Sequence, residues 1–347
     1  MNIDSLKITP EILSLIAGID EFKGAWRALG QLAPEQLSML KKVATIESIG
    51  SSTRIEGSRL TDQEVEALLS NLGIQKFDTR DEQEVAGYSA VMNLVFQHDA
   101  DIPFSESHIR QLHSVLLQFS TKDDWHRGDY KKSPNHVEAF DTKGKSLGVV
   151  FETASPFETP IRMRDLVEWA GQAYTAKKIH PLLVTALVIV EFLAIHPFQD
   201  GNGRLSRVLT TYLLLKEGYQ YVPYSSLEAV IEQSKEGYYL ALSQTQATLK
   251  NEHPDWQPWV LFLLRALYQQ KERLEIKVQQ ENLLLTQLPK LSLQILEFVK
   301  SRGQATIRDI VTVTGANRNT VKKHLEMLVE KSRLRRNGVG KGTWYSL

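Results

Sequence analysis

From Leu182 to Ile195 the chain is apolar apart from one charge, Glu191. The stretch is too short to cross a bilayer, so it predicts a helix buried within a soluble core. The sequence around it agrees. Before residue 290 apolar residues recur at three- and four-residue spacings, as in Leu37–Ile46, Val65–Leu72, Ile109–Leu117, Leu166–Tyr174 and Leu205–Leu215, the period of helices that hide one face. Thr61 with Glu64 three positions on matches a capping box opening the helix that runs through Leu72. Only Arg127–Phe157 departs from this period. It is rich in turn formers (Gly128, Pro134, Asn135, Asp141, Gly144, Gly148) and ends in the β-prone Val149-Val150-Phe151, which predicts a loop and short hairpin set among helices. A long helix from Trp259 to about Leu285 then leads to a boundary at Pro289. The expected fold class is mainly α.

Composition narrows the function. The 347 residues suffice for two or three domains, and 42% hydrophobic with 24% charged residues is the profile of an ordinary soluble protein. The absence of cysteine excludes disulfides, thiolate catalysis and cysteine zinc sites. The start lacks the basic-then-apolar layout of a secretory signal, so a cytoplasmic protein with no membrane contact is expected. The net charge of zero hides an asymmetry. From Pro289 onward there are twelve Lys and Arg against four Asp and Glu, leaving 29 against 37 in the rest. A basic tail beside an acidic body predicts a separate domain suited to a polyanion.

Chemistry concentrates in Ile195-His-Pro-Phe-Gln-Asp-Gly-Asn-Gly-Arg-Leu-Ser-Arg207, between two helical runs. Gly201-Asn202-Gly203 permits positive φ and close backbone approach, and leads into a helix N-terminus, where unpaired N–H groups and the helix dipole attract an anion. Arg204 and Arg207 add forked donors for phosphate oxygens. Asp200 is a hard oxygen ligand of the kind that phosphate-bound Mg²⁺ takes. His196 can accept a proton near neutral pH. A base, a metal ligand, an anion nest and two cations within twelve residues describe phosphoryl-type transfer from a nucleotide.

The segment also resembles, position for position, the Fic family signature His-Pro-Phe-x-[Asp/Glu]-Gly-Asn-Gly-Arg-x-x-Arg, and the likeness extends over most of residues 35–265. The resemblance implies a protein adenylyltransferase: a Fic helical core with a β-hairpin flap, ATP as co-substrate with Mg²⁺, and AMP transfer to a Ser, Thr or Tyr hydroxyl of a target protein or of the enzyme itself. It makes His196 the base and Asp200 the metal ligand. Gly201, Asn202, Gly203, Arg204 and Arg207 become phosphate contacts, and Phe198 an anchor of the loop in the core. It further implies that Gly148, Val149, Val150 and Phe151 line the flap, registering the target by strand pairing, and that Tyr238, Tyr239 and Gln246 line the adenine and ribose pocket. Relatives often carry Asn in place of Gln246.

Ser51-Ser-Thr-Arg-Ile-Glu-Gly57 puts Ser52 and Glu56 on one helix face, with Gly57 able to end the helix. Beside the loop this matches the family's inhibitory helix, [Ser/Thr]-x-x-x-Glu-[Gly/Asn], in the class that carries it upstream in the same chain. The resemblance implies that Glu56 pairs with Arg207, competes with the γ-phosphate and holds the enzyme back. In some relatives the same glutamate serves AMP removal.

In the tail, Leu293–Val299 reads as an amphipathic helix, Thr306 caps Ile307–Thr314, and Asn319–Leu328 follows a turn at Gly315-Ala316-Asn317. A Gly-rich basic segment then precedes strand-like Thr343-Trp344-Tyr345. This is a winged helix-turn-helix pattern, which would present Asn317, Arg318, Asn319, Thr320 and Lys323 to duplex DNA, or else serve protein contacts or a homodimer. The expected domains are an N-terminal helical region with the inhibitory helix (1–100), a Fic core (101–255), a connector helix (256–288) and the winged helix-turn-helix (289–347). Two rivals stay open: a DNA-binding regulator whose Fic core only senses nucleotide, and transfer of phosphate, UMP or phosphocholine instead of AMP.

Overall fold

The computed structural model describes residues 1–28, 34–71, 77–98, 102–140, 146–286, 288–331 and 333–347. Leu72, Asp141 and Gly144, which the sequence assigned to a helix end and to turns, lie outside the described residues. The chain order runs through α1 (Pro10–Ala28), α2 (Pro34–Ile55), α3 (Asp62–Ser70), α4 (Arg80–His98) and α5 (Glu106–Leu116) to the hairpin β1 (His136–Phe140) and β2 (Ser146–Glu152). Then come α6 (Thr159–Ala176), α7 (Pro181–Ile195), α8 (Asn202–Lys216), α9 (Leu227–Gln233), α10 (Lys235–Gln246) and α11 (Gln257–Thr286). The final part is α12 (Lys290–Arg302), β3 (Gln304–Thr306), α13 (Ile307–Thr314), α14 (Arg318–Glu330), β4 (Arg335–Asn337) and β5 (Trp344–Ser346). The protein is mainly α, as its periodicity predicts.

Two compact units divide it: residues 1–29 with 41–272, and residues 30–40 with 273–347. The larger is organised on α7. Leu182 to Val190 and Phe192 to Ile195 are all buried, so neighbouring helices cover every face of α7. The exception is Glu191, which is met by Arg162 of α6 at 2.6 Å, a pairing that spares the carboxylate most of the cost of leaving water. α8 is nearly as enclosed, with Asn202 and Arg204 to Leu215 buried. The loop between these two helices therefore stands on a rigid base.

Thr61 caps α3 with the reciprocal Glu64 bond that the sequence foretells. The turn-rich insert forms one antiparallel hairpin, in register Val137 to Phe151 and Ala139 to Gly148. The two strands pair only with each other among the described residues, so the hairpin keeps open backbone edges.

The smaller unit closes on Leu288, Ile295, Val299, Ile310, Val321 and Leu325. Its three-stranded antiparallel sheet has the order β3-β5-β4, with Tyr345 opposite both Ala305 and Arg336. Thr306 and Asp309 form a capping box at α13, and Gly315 ends that helix at φ 65°.

Candidate active site

The segment from His196 to Arg207 turns sharply between α7 and α8. His196 caps α7 in the left-handed region, φ 51° and ψ 61°. For a residue with a Cβ this costs about 1–2 kcal/mol, so the surroundings must hold it. Its N–H returns to Phe192 O at 2.9 Å. Its ring Nδ1 lies 3.3 Å from Leu193 O. A carbonyl only accepts, so Nδ1 carries the proton and Nε2 is left with its lone pair. Burial, with the charge of Lys131, pushes His196 down to about 4, and the imidazole is neutral at physiological pH.

Below the loop, the fully buried Phe198 stacks on His113 with ring centres 3.8 Å apart. His113 Nδ1 accepts from Gly128 N–H at 3.0 Å, so Nε2–H donates to Asp200 O, also at 3.0 Å. Burial holds His113 near 4 as well, which preserves that neutral tautomer. Sequence reasoning missed His113, since a lone histidine on an amphipathic helix carries no signal of a contact with a loop 87 residues away.

Asn202 has a part within the loop itself. Its amide accepts from Phe198 N–H at 2.9 Å and donates to Phe198 O at 2.7 Å, so both polar atoms brace the loop and one Nδ2–H remains beyond these bonds. Gly201 sits at φ 79° as the N-cap of α8, a conformation that favours glycine. Beyond it the first N–H groups of α8 have no partner within the helix. Asp200 accepts from Gly201 N–H and lies 3.3 Å from Arg204 Nη2 and 3.6 Å from Arg80 Nη2. Burial opposes its charge, but Arg204, the Gly201 bond and Arg80 outweigh it and hold the carboxyl below its usual value. Arg204 is only 2% exposed and also lies 3.3 Å from Glu84, so it belongs to a ring of charge with Arg80, Glu84 and Asp200. Neither Arg80 nor Glu84 stands out in the sequence.

Arg207 is buried, and the end of α2 reaches it. Its Nη2 donates to Glu56 Oε1 at 2.8 Å and to Ser52 O at 3.0 Å, and its Nε donates to Ser52 Oγ at 2.8 Å. Nη1 has no hydrogen-bond partner among the described residues. Burial works against both charges, yet Arg207 holds Glu56 below the usual carboxylate range and Glu56 holds Arg207 above its own. A Cβ on Gly203 would collide with Glu56 Oε1, so the carboxylate lies directly over the glycine turn. α2 ends at Ile55, and Gly57 leaves it at φ 106°. Arg54 grips α9, donating to both oxygens of Glu232 at 2.7 and 3.0 Å.

Tyr238 is buried, its ring 5.2 Å from Tyr239 and 5.7 Å from both Trp259 and Phe262. Burial raises the pKa of both tyrosines, and each feels the charges of Arg207 and Glu56. Gln246 is buried farther along α10. Gly148, Val149, Val150 and Phe151 form the middle of β2. Among the described residues no three His, Asp or Glu side chains converge as a metal centre.

Residues 103–214 match the model of the Fic/DOC family. The protein adenylyltransferase Fic of Drosophila willistoni is 26% identical over 252 residues, which cover 72% of this chain and 45% of that protein. The chain thus spans less than half the length of that curated relative. A Fic family protein from Desulfovibrio desulfuricans superposes with a TM-score of 0.66 at 23% identity, over 99% of this chain and 97% of its own. A Fic domain-containing signaling protein from Bacteroides thetaiotaomicron gives 0.60 at 26% identity, over 74% and 94%.

Proposed function

We propose, from the match of residues 103–214 to the Fic/DOC family model, that this chain transfers AMP from ATP to a hydroxyl of a target protein, restrained by Glu56. The observation that carries this proposal is His196. It is a neutral imidazole with Nδ1–H spent on Leu193 O and the Nε2 lone pair open, beside a glycine turn at a helix N-terminus. Nε2 takes the hydroxyl proton, and the oxygen bonds to the α-phosphorus. The α-phosphorus bond to the bridging oxygen breaks, and pyrophosphate leaves. The loop contributes mostly by holding the reactants in line and by meeting negative charge with fixed donors.

The open Nη1 of buried Arg207 suits the outer phosphates. The backbone N–H groups of the glycine turn act on the phosphates, with Asn202, whose amide also braces Phe198, assisting. Mg²⁺ bound with a nucleotide needs only one or two carboxylates from protein, and Asp200, ionised and partly exposed, fits that need. The ion would supply charge neutralisation at the α- and β-phosphates. Glu56 occupies the guanidinium that an outer phosphate would use and repels the nucleotide's charge. The same carboxylate could orient water for AMP removal. β2 offers its open edge to a target strand, Tyr238, Tyr239 and Gln246 border the nucleoside, and the cytoplasm is the expected place of action.

Intact mass of the purified protein tests the activity. With ATP and Mg²⁺, the Glu56→Gly protein should gain the mass of one or more AMP units. Gain of a phosphate instead, or of UMP from UTP but nothing from ATP, would favour the rival transfer chemistries. No adduct on the protein or on any co-incubated target would favour a nucleotide sensor.

For the smaller unit we propose a winged helix that binds duplex DNA. Residues 317–320, 322 and 323 are exposed at the start of α14, and Arg335 and Arg336 are exposed on β4. Full-length protein should bind duplex DNA with an affinity that falls steeply with salt. Replacing Lys322, Lys323, Arg335 and Arg336 by Ala should flatten that slope by roughly one unit for each phosphate no longer neutralised. Binding indifferent to salt, or absent at low salt, would turn the assignment toward protein contacts.

A further inference from the structure

We propose that Lys131 is a positioning residue for His196, clamping the base in its left-handed backbone conformation and tying it to the feet of the hairpin. The role in transfer rests on the AMP-transfer proposal, whereas the clamp is a matter of geometry. Lys131 precedes the hairpin and is only 3% exposed, where a lysine is rarely found unless its donors are used. Its three ammonium protons have three acceptors: Asn135 Oδ1 at 2.8 Å, Thr153 Oγ1 at 2.8 Å and Ile195 O at 3.1 Å. Its backbone N–H donates to Pro197 O at 2.8 Å. The carbonyls immediately before and after His196 are therefore both held by this one residue. Asn135 adds a bond from Nδ2 to Phe198 O at 2.8 Å.

That bracket accounts for how His196 keeps a φ of 51°, a backbone state that persists only where neighbours over-determine it. The same side chain reaches both feet of the hairpin, because Asn135 precedes β1 and Thr153 follows β2. Thr153 Oγ1 also donates to Asn135 O at 2.6 Å, which closes the base of the hairpin. A target strand docking on the hairpin would thus press on a frame continuous with the base.

Charge is the second contribution. Every acceptor of the Lys131 ammonium is neutral, and among the described residues no carboxylate lies within ion-pair distance. The charged groups that act on Lys131 are Arg162 and Glu158. Those that act on His196 are Lys131, Glu56 and Asp200. A cation beside an imidazole disfavours its protonated form, so Lys131 helps keep His196 able to accept a proton. Removing that cation should raise the pKa of His196. The base works only when neutral, so the acid limb of the rate profile should move to higher pH.

The experiment uses full-length Glu56→Gly protein as parent, with Lys131→Met and Lys131→Arg variants. Methionine keeps the apolar stem and loses the donors and the charge. Lys131→Met should lower kcat for AMP transfer on the order of 10–100-fold, the usual penalty for a misplaced catalytic group. The ATP KM should stay within about twofold. The acid limb should move to higher pH, and Lys131→Arg should restore it toward the parent's. The His196 ring titration, followed by NMR, should move in the same direction without any need for turnover. Parental kcat and a parental His196 titration in Lys131→Met would overturn the proposal, as would a drop in melting temperature alone. Should Lys131→Met fail to fold, Lys131→Arg decides: it should retain the His196 titration and lower kcat through altered geometry, and parental kcat would count against the clamp. A Glu56→Gly parent that transfers no AMP would defeat the proposed activity instead, and the NMR titration would still test the clamp.

Discussion

Replacing His196 with alanine should reduce AMP transfer on the order of 10²–10⁴-fold, the usual loss when a general base is removed. ATP binding should change little. In the proposed reaction the imidazole serves the hydroxyl while the α8 N-terminus and Arg207 serve phosphate, and the bracing bonds from Asn202 and His113 to the loop do not involve the His196 ring. Alanine also relieves none of the φ strain at position 196, so the loop has no new conformation to gain. The measurement is transfer of labelled AMP in the Glu56→Gly background, paired with calorimetric ATP titration of the same proteins. Transfer at the parental rate would remove His196 as the base. A parallel collapse of ATP affinity would show instead that the substitution had disturbed the anion site.

Glu56→Gly should raise transfer, seen first as self-modification, and Arg207→Ala should lower it even in that background. The effects should be strongly non-additive, because the two residues share one contact at 2.8 Å, with a coupling of about 0.5–3 kcal/mol. A cost in stability accompanies the gain. Removing Glu56 leaves the buried Arg207 guanidinium with neutral partners such as Ser52, and a buried charge that loses its counter-ion destabilises strongly. Without nucleotide, Glu56→Gly should therefore melt lower than wild type, and ATP with Mg²⁺ should raise its melting temperature by more than it raises that of wild type. Equal turnover in the two proteins with saturating Mg²⁺-ATP and a competent target would return residues 52–57 to the status of an ordinary helix end. Equal thermal response to ATP would mean that Glu56 and the nucleotide do not compete for Arg207.

Most of what local chemistry can encode was legible in the chain. The apolar run 182–195 announces a helix enclosed on all sides, and α7 is that helix. Thr61 with Glu64, and Thr306 ahead of α13, mark helix starts through bonds spanning three residues. Glycines at 201 and 315 mark places where the backbone turns to positive φ. The loop 196–207 could be singled out because base, carboxylate, glycines and arginines fall within one window, and the spacing of Ser52 and Glu56 put them on one helix face.

What the sequence left open is what depends on distant segments meeting. Asn202 and Arg204 have the side chains of phosphate ligands, and packing also bonds the first to Phe198 and places the second, 2% exposed, beside Glu84 and Asp200. His113 and Lys131 look like routine residues of a helix and a loop. They become supports of the loop only because the fold brings residues 113, 131 and 195–200 together, where each buried donor must find an acceptor. Side-chain type and short spacing set the chemistry available to this chain. The partner that each polar group meets came from the tertiary structure, because the cost of an unpaired polar group in the interior depends on every neighbour, near or far in sequence.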